Sequence, residues 1–164
     1  MKKVVKFGGS SLANAEQFQK VGDIIRSDES RRYVVPSAPG KRFSADTKVT
    51  DLLYTCYGKA EAGEDFTDVL TEIKGRFYEI IKGLNLDLSL EEEFRQIEAD
   101  FKAHAGNEYA ASRGEFLNGK VMAAYLGYEF IDSATVIRFD KNGNFDADKT
   151  DRLLSKRLQK CERA

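Results

Sequence analysis

Two short runs of β-branched and aromatic residues flank an amphipathic segment at the start of the chain. Lys3–Phe7 and Tyr33–Ser37 have the composition of buried strands in a parallel sheet. Between them, Leu12–Arg26 carries apolar side chains at helical spacing, at Phe18, Val21 and Ile25. The sequence therefore predicts a strand–helix–strand unit whose two strands lie parallel and are joined by a right-handed crossover.

A mainly helical middle follows this unit. Four helices are predicted there, at Thr50–Ala62, Phe66–Gly83, Leu90–His104 and Glu108–Leu126, and apolar residues keep helical spacing in the second and third of them. Strands are expected to return at Tyr128–Asp132 and Thr135–Phe139, before an Asn-Gly turn and a final helix at Lys149–Gln159. This order predicts an α/β fold, in which a mainly parallel sheet has helices on both faces and bears a helical excursion.

Composition restricts the classes of function. The chain has 164 residues, of which 41% are hydrophobic, and this is enough for one domain with its own core. A net charge of -1 gives no field that would attract nucleic acid or a membrane surface, so we expect neither as a partner. Cys56 and Cys161 lie far apart without metal-ligand spacing, so we expect free thiols in a reducing cytoplasm.

The first candidate functional residues lie at the end of the first strand. There, the sequence Lys6-Phe7-Gly8-Gly9-Ser10-Ser11 leads into the first helix. Glycines let backbone N–H groups approach an anion, and a helix start adds further N–H groups. A lysine at the strand end supplies a positive charge for a phosphoryl group. The same residues also fit a tight turn in which Ser10 or Ser11 caps the helix. From these residues alone, phosphate binding and a structural turn are both open.

Four segments carry motifs in a fixed order along the chain. They are Lys6–Ser11, Tyr33–Gly40 with its Ser37-Ala38, Lys48–Leu53 and Ser112–Glu115. Together they resemble the opening motif, the second-strand motif ending in Ser-Ala, the Val/Ile-Thr-Asn/Asp-Leu-Leu helix start and the Ser-x-Gly-Glu signature of the aspartate kinases, within the amino acid kinase family. The order and approximate spacing of these segments agree over essentially the whole chain.

The resemblance implies that family's carbamate kinase-like fold, an αβα sandwich with a mainly parallel sheet. Aspartate kinases are much longer, so residues 1–164 are expected to form the N-terminal portion of the catalytic domain. The half with most nucleotide contacts and the regulatory ACT domains are expected to be absent from this chain. We therefore expect little or no turnover from these residues alone.

The resemblance also implies the residues of the site. The expected phosphate- and ATP-binding residues, of which the lysine is also catalytic, are Lys6, Gly8, Gly9 and Ser10. Ser37 and Thr50 are expected to hold the amino acid, while Glu115 pairs with its α-ammonium group. No residue is expected to bind a metal directly, because Mg2+ is held through the nucleotide phosphates.

Elementary chemistry supports these positions but leaves structural alternatives. Either hydroxyl, of Ser37 or Thr50, could instead cap a helix or form a turn, and Glu115 could be a solvated carboxylate. Gly114 lies inside a predicted helix, where glycine costs about 1 kcal/mol relative to alanine. That cost indicates close approach of a ligand or another backbone. The charged segment 39–48 is expected to be a mobile loop over the pocket.

The reaction implied by the resemblance is phosphorylation of the β-carboxylate of L-aspartate by ATP, which gives 4-phospho-L-aspartate for lysine, threonine and methionine biosynthesis. The expected partners are aspartate and ATP with Mg2+, and the complete enzyme is expected to be a homo-oligomer. Sibling kinases that act on glutamate, a carbamate or a nucleoside monophosphate are alternatives. A non-catalytic remnant that binds a ligand or pairs with another subunit is an alternative of a different class.

Overall fold

The computed structural model describes all 164 residues and contains two β-strands and six α-helices. In chain order they are β1 (Lys3–Phe7), α1 (Ala15–Arg26), β2 (Arg31–Pro36), α2 (Val49–Glu61), α3 (Thr67–Gly83), α4 (Glu91–Lys102), α5 (Asn107–Leu126) and α6 (Ala147–Leu158). One-turn 3-10 helices add Gly9–Leu12 and Ser133–Thr135. The predicted strand–helix–strand start and the four middle helices are confirmed, with ends that differ by a few residues.

The sheet consists of β1 and β2, which lie parallel with Val5 opposite Val34. Because side chains alternate across a strand, Val5, Phe7 and Val34 share one face, and they pack against the main core. On the other face, Val4 and Val35 are 66% and 51% exposed. The parallel α/β arrangement is confirmed, whereas the helical layer expected on the second face does not cover these two side chains.

The main core lies among the helices. Its largest fully buried side chains include Tyr57 of α2, Phe77 of α3, and Phe94 and Phe101 of α4. The rings of Tyr57 and Phe101 meet edge to face with their centroids 5.4 Å apart. Helix α5 packs against α2 and against β2, so the core fixes the positions of two helices that carry predicted site residues. None of the helices combines the length and the apolarity needed to cross a bilayer.

The strands predicted at Tyr128–Asp132 and Thr135–Phe139 are wrong. The Asp132 carboxylate accepts a hydrogen bond from the N–H of Ala134, and this turn starts the second 3-10 helix. Phe139 forms only a single antiparallel bridge, with Phe145 across the predicted turn. A strand needs a neighbouring strand for its N–H and C=O groups, and local side-chain bonding offers the backbone an alternative.

Candidate functional site

A polar cavity of about 450 Å³ lies where β1 and β2 end. Its ten lining residues include a single hydrophobic one, and they are Gly9, Ser10, Ser37, Ala38, Pro39, Gly40, Lys41, Lys48, Thr50 and Glu115. Ligands of open α/β sheets bind outside the carboxyl ends of the strands, as here. Five of the seven predicted site residues line this cavity, namely Gly9, Ser10, Ser37, Thr50 and Glu115.

The turns that follow β1 and β2 touch through their backbones. The N–H of Gly40 donates to the carbonyl oxygen of Gly9 at 2.8 Å. A Cβ on Gly9 would lie 2.8 Å from the carbonyl oxygen of Ala38, and one on Gly40 would lie 2.6 Å from the carbonyl carbon of Gly9. Contacts within the chain therefore explain these two glycines. A Cβ on Gly8 meets nothing within 4 Å, so packing within the chain gives no reason for that glycine.

Neither Ser10 nor Ser11 caps the first α-helix, so the capping part of the structural alternative is wrong, although the segment does form a tight turn. The 3-10 turn after Gly8 intervenes, and α1 begins after it. The side chain of Asn14 caps α1 by accepting a hydrogen bond from the N–H of Gln17 at 3.0 Å. The N-terminus of α1, which we expected directly after the glycines, is therefore separated from them, while Ser10 is exposed and lines the cavity.

Ser37 follows β2 directly and is held through both of its backbone groups. Its N–H donates to the carbonyl oxygen of Phe7 at 3.0 Å, and its carbonyl oxygen accepts from Nδ2 of Asn118 at 2.7 Å. Asn118 is fully buried on α5, and the sequence prediction missed it. The sequence could have indicated its burial, because Asn118 lies at helical spacing from the apolar residues of α5.

Glu115 reaches from α5 to the end of β2. Its Oε1 atom accepts a hydrogen bond from the backbone N–H of Ala38 at 3.2 Å. A Cβ on the preceding Gly114 would lie 2.6 Å from the Cβ of Ala38. Gly114 does lie at a close approach, but the approaching group is the Ala38 side chain and not the ligand or backbone that we predicted. Glycine at this position allows α5 to bring the Glu115 carboxylate to the cavity.

The start of α2 adds positive charge to the cavity. Thr50 is the second residue of α2, and Lys48 is its N-cap residue without a side-chain capping bond. Lys41 and Lys48 both line the cavity, and the N-terminus of a helix also favours an anion. Glu115 contributes a negative charge to the same cavity. This set of groups suits a small molecule that carries both a carboxylate and an ammonium group.

Lys6 and Gly8 are not among the residues that line the cavity. Lys6 is exposed and lies opposite Val35 in the strand register. Gly8 is extended, with a φ of -78° and a ψ of 166°, and precedes the 3-10 turn. The structure thus brings the predicted amino-acid-binding residues together at one cavity. The binding roles of all seven residues stay predictions, including the phosphate roles of Lys6 and Gly8.

Two side chains within the charged segment between β2 and α2 form hydrogen bonds with each other. The carboxylate of Asp46 accepts hydrogen bonds from Nε and Nη2 of Arg42, at 2.9 and 3.0 Å. These bonds hold the pKa of the Asp46 carboxyl well below its usual range, although burial acts in the opposite direction. Two of the charges from which we expected a mobile loop, those of Arg42 and Asp46, are therefore paired with each other, while Lys41 and Lys48 line the cavity.

A second, larger cavity of about 630 Å³ is mainly apolar and lies beside β2, α5 and α6. Arg113 lies at this cavity with its guanidinium carbon 4.3 Å from the ring centre of Tyr109 and 4.6 Å from that of Phe116. We assign the candidate site to the smaller cavity because the predicted polar groups meet there. No group of three or more His, Cys, Asp or Glu residues is placed to hold a metal ion.

Sequence comparison identifies relatives along the whole chain. The model of the amino acid kinase family matches residues 1–161. Aspartokinase 3 of Bacillus subtilis (strain 168) is 39% identical over 141 residues, which cover 82% of this chain and 31% of that protein.

Solved structures give a similar result. The crystal structure of Clostridium acetobutylicum aspartate kinase matches with a TM-score of 0.95 and 47% identity, over 100% of this chain and 38% of that chain. E. coli aspartokinase III in complex with aspartate and ADP matches with a TM-score of 0.77 over 98% of this chain and 39% of that chain. Its identity is 24%, so this second match concerns the fold. The chain spans about a third of the length of these relatives.

Proposed function

Because the chain belongs to the amino acid kinase family, we propose that it forms the amino-acid-binding portion of an aspartate kinase. The observation that carries this proposal is the polar cavity, in which the turn after β1 meets Ser37, Thr50 and Glu115 from three other segments. The similarity to the Bacillus and Clostridium enzymes supports aspartate as the substrate.

The proposed reaction of the longer protein transfers the γ-phosphoryl group of ATP to the β-carboxylate of L-aspartate, which gives 4-phospho-L-aspartate and ADP. The presence of aspartate and ADP in the E. coli aspartokinase III structure supports this pair of ligands. The substrate carboxylate is already an anionic nucleophile, so the reaction needs no general base. Catalysis then depends on positioning and on neutralisation of charge.

We assign the amino acid to the side chains of Ser37, Thr50 and Glu115. The Glu115 carboxylate pairs with the α-ammonium group, which is a charge-assisted hydrogen bond. The two hydroxyls and the start of α2 bind carboxylate oxygens, for which Lys41 and Lys48 provide a favourable potential. This assignment uses both signs of charge that the cavity contains.

We assign the transferring phosphoryl group to the segment after β1. Lys6 neutralises its charge, while the backbone N–H groups of Gly8 and Gly9 and the hydroxyl of Ser10 donate hydrogen bonds to it. Hydroxyls, backbone N–H groups and lysines suit phosphate oxygens rather than a bare divalent cation. Mg2+ would therefore reach the site through the nucleotide phosphates and reduce their charge when bound.

We propose that the complete reaction requires a longer protein, as in the relatives of which this chain covers about a third, and that these residues alone give little or no turnover. We also propose that the longer protein is a cytoplasmic homo-oligomer. The two free thiols, Cys56 and Cys161, support the location because disulfides are rare in a reducing compartment. Burial raises the pKa of Cys56 to about 12, so this thiol is not a reactive nucleophile.

Ligand-detected NMR on this chain tests the proposed substrate. Aspartate, glutamate, uridylate and ATP are added separately, and we expect selective binding of aspartate among the first three. Glu115→Gln should weaken aspartate binding by about tenfold, because the ammonium group loses a charged partner. Glu108→Gln is the matched control, since Glu108 lies on the same helix and does not line the cavity.

Other results would contradict the proposal at different points. Binding of glutamate or uridylate in place of aspartate would identify a sibling kinase. Equal losses in the Glu115 and Glu108 variants would remove Glu115 from the site. If the 164-residue chain binds none of aspartate, glutamate and uridylate, it does not form the amino-acid pocket by itself.

A further inference from the structure

Helix α3 contains an arginine on its buried face, outside the cavity. Arg76 is 2% exposed and lies between the buried residues Ile73, Phe77 and Ile80 of the same helix. Burial opposes the charged form and lowers the pKa of its guanidinium. An arginine in such a position requires specific partners, because a buried charge without hydrogen bonds is strongly unfavourable.

The partners of Arg76 all lie in the segment between β2 and α2. Its Nη2 donates to the carbonyl oxygen of Gly40 at 2.6 Å, and its Nη1 donates to the carbonyl oxygen of Thr47 at 2.9 Å. Nη1 also lies 3.1 Å from Oδ2 of Asp46. One side chain therefore holds both ends of the segment that forms part of the cavity wall.

The contact at Gly40 continues to the turn after β1. While the Gly40 carbonyl accepts from Arg76, its N–H donates to the carbonyl oxygen of Gly9 at 2.8 Å. The absence of space for a Cβ on either glycine means that the two backbones touch directly. A displacement of Gly40 would therefore alter the position of Gly9 as well.

The same segment also leads into α2. The carbonyl oxygen of Pro39 accepts a hydrogen bond from the N–H of Val49, the first residue of α2, at 3.2 Å. Thr50 follows Val49 directly and lines the cavity. The segment that Arg76 holds thus joins the glycine turn to the residue that we assign to the amino acid.

The charges around Arg76 are balanced. Asp46 is bound by Arg42 as well as by Arg76, and Nη1 of Arg42 lies 2.9 Å from Oε2 of Glu79 on α3. Two guanidinium groups and two carboxylates therefore connect the segment to α3. The forked guanidinium of Arg76 can reach two carbonyls at once, which a lysine ammonium in its place could not do with the same geometry.

We propose that Arg76 is a positioning residue of the cavity, which fixes Gly40 against Gly9 and sets the distance between the glycine turn and the start of α2. It touches neither ligand and acts through the backbone of the segment. The expected effect of Arg76 on aspartate binding rests on the proposed function of the cavity. Its effect on the position of Gly40 does not, because that depends only on contacts within the chain.

Amide hydrogen exchange of the 164-residue chain, followed by NMR, tests the positioning. In Arg76→Lys, we expect the Gly40 and Val49 amides to exchange about tenfold faster or more, relative to the Leu117 amide in the core of α5. Ile80→Val on the same helix is the matched control, because it removes buried volume but no hydrogen bond or ion pair to the segment. In that variant, we expect the Gly40 and Val49 amides to accelerate no more than the Leu117 amide.

A neutral variant keeps the test decisive if Arg76→Lys fails to fold. Arg76→Met retains the length of the side chain, leaves Arg42 to neutralise Asp46, and should show the same selective loss of protection at Gly40 and Val49. Uniform acceleration at Gly40, Val49 and Leu117 in the folded Arg76 variants would overturn the positioning role and leave Arg76 as a general contributor to stability.

Aspartate affinity provides the second readout. We expect Arg76→Lys to weaken aspartate binding by about tenfold, whereas Ile80→Val should leave it nearly unchanged. If a folded Arg76 variant shows faster exchange at Gly40 and Val49 but binds aspartate with unchanged affinity, Arg76 does not influence ligand binding in the cavity. If the unmodified chain does not bind aspartate, the proposed function fails, and the exchange data alone decide whether Arg76 positions the segment.

Discussion

Gly8 and Gly9 are neighbours in the sequence, but a methyl group added to each would meet different surroundings. At Gly9, the new Cβ would lie 2.8 Å from the carbonyl oxygen of Ala38. We expect Gly9→Ala to lower the free energy of unfolding by about 1–3 kcal/mol, because backbone would have to move. Gly8→Ala has open space, so its effect should stay below about 0.5 kcal/mol. Urea unfolding of both variants measures the difference, and equal losses would contradict it.

Asp46 should make stability depend on pH. Its folded pKa lies below the unfolded value, mainly because Arg42 donates hydrogen bonds to the ionised carboxylate. The stability that the ionised Asp46 carboxylate adds to the folded state is therefore complete above the unfolded pKa of about 4. It is lost as the pH falls toward the folded pKa. Asp46→Asn leaves the buried Arg76 without its anion, so we expect a loss of about 3 kcal/mol at pH 7 and a smaller loss at pH 3.

Urea unfolding of the unmodified chain and the Asp46→Asn variant at both pH values measures this dependence. Asp23→Asn on α1 is an exposed control, and it should change stability little at either pH. A loss that is the same at pH 7 and pH 3 would show that the Asp46 carboxylate does not carry the linkage.

At the scale of elements, hydrophobic periodicity predicted the helices well and the later strands poorly. Helices α3 and α4 each have a local apolar face at helical spacing, so their own sequence is enough to indicate them, whereas α5 mixes apolar and polar positions around its axis. The segment from Tyr128 to Phe139 contains good strand formers, but pairing depends on a distant neighbour that its own sequence does not specify. The cap of α1 was missed because a single 3-10 turn moved the helix start to Ala15.

The candidate site was predictable in part. The resemblance to the aspartate kinases identified Gly9, Ser37 and Thr50 as site residues, and all three line the cavity. Each also lies just outside or at the end of a strand or helix, where a ligand is expected. Asn118 and Arg76 were not predicted, since a polar residue on a helix is usually solvated. Their burial follows from contacts with Ser37 and Gly40, which are far away in the sequence.

Alanine should have opposite effects at two helical glycines, because Gly114 of α5 packs on the end of β2 while Gly75 of α3 faces open space. Gly114→Ala would place a Cβ 2.6 Å from the Cβ of Ala38, so we expect it to destabilise the chain by about 1–3 kcal/mol despite the better helix propensity of alanine. Gly75→Ala on α3 meets nothing within 4 Å and should stabilise the chain by about 0.5–1 kcal/mol. Thermal unfolding of both variants decides the signs, and stabilisation by Gly114→Ala would show that α5 does not need this close approach.

At the scale of the whole molecule, the open face of the sheet is the feature with a measurable consequence. Val4 and Val35 are 66% and 51% exposed, and the net charge is only -1. An exposed apolar face with little electrostatic repulsion favours self-association. We therefore expect the isolated chain to associate as its concentration rises, and sedimentation velocity over a range of concentrations measures this.

The double variant Val4→Thr with Val35→Thr should reduce the association, because threonine keeps the β-branched shape suited to a strand and adds a hydroxyl to the open face. Ile24→Thr is the matched control, since Ile24 is 48% exposed but lies on α1 rather than on the sheet. If the open face drives association, only the double variant sediments as a monomer at high concentration. Equal association of the unmodified chain and both variants would assign the contact to another surface.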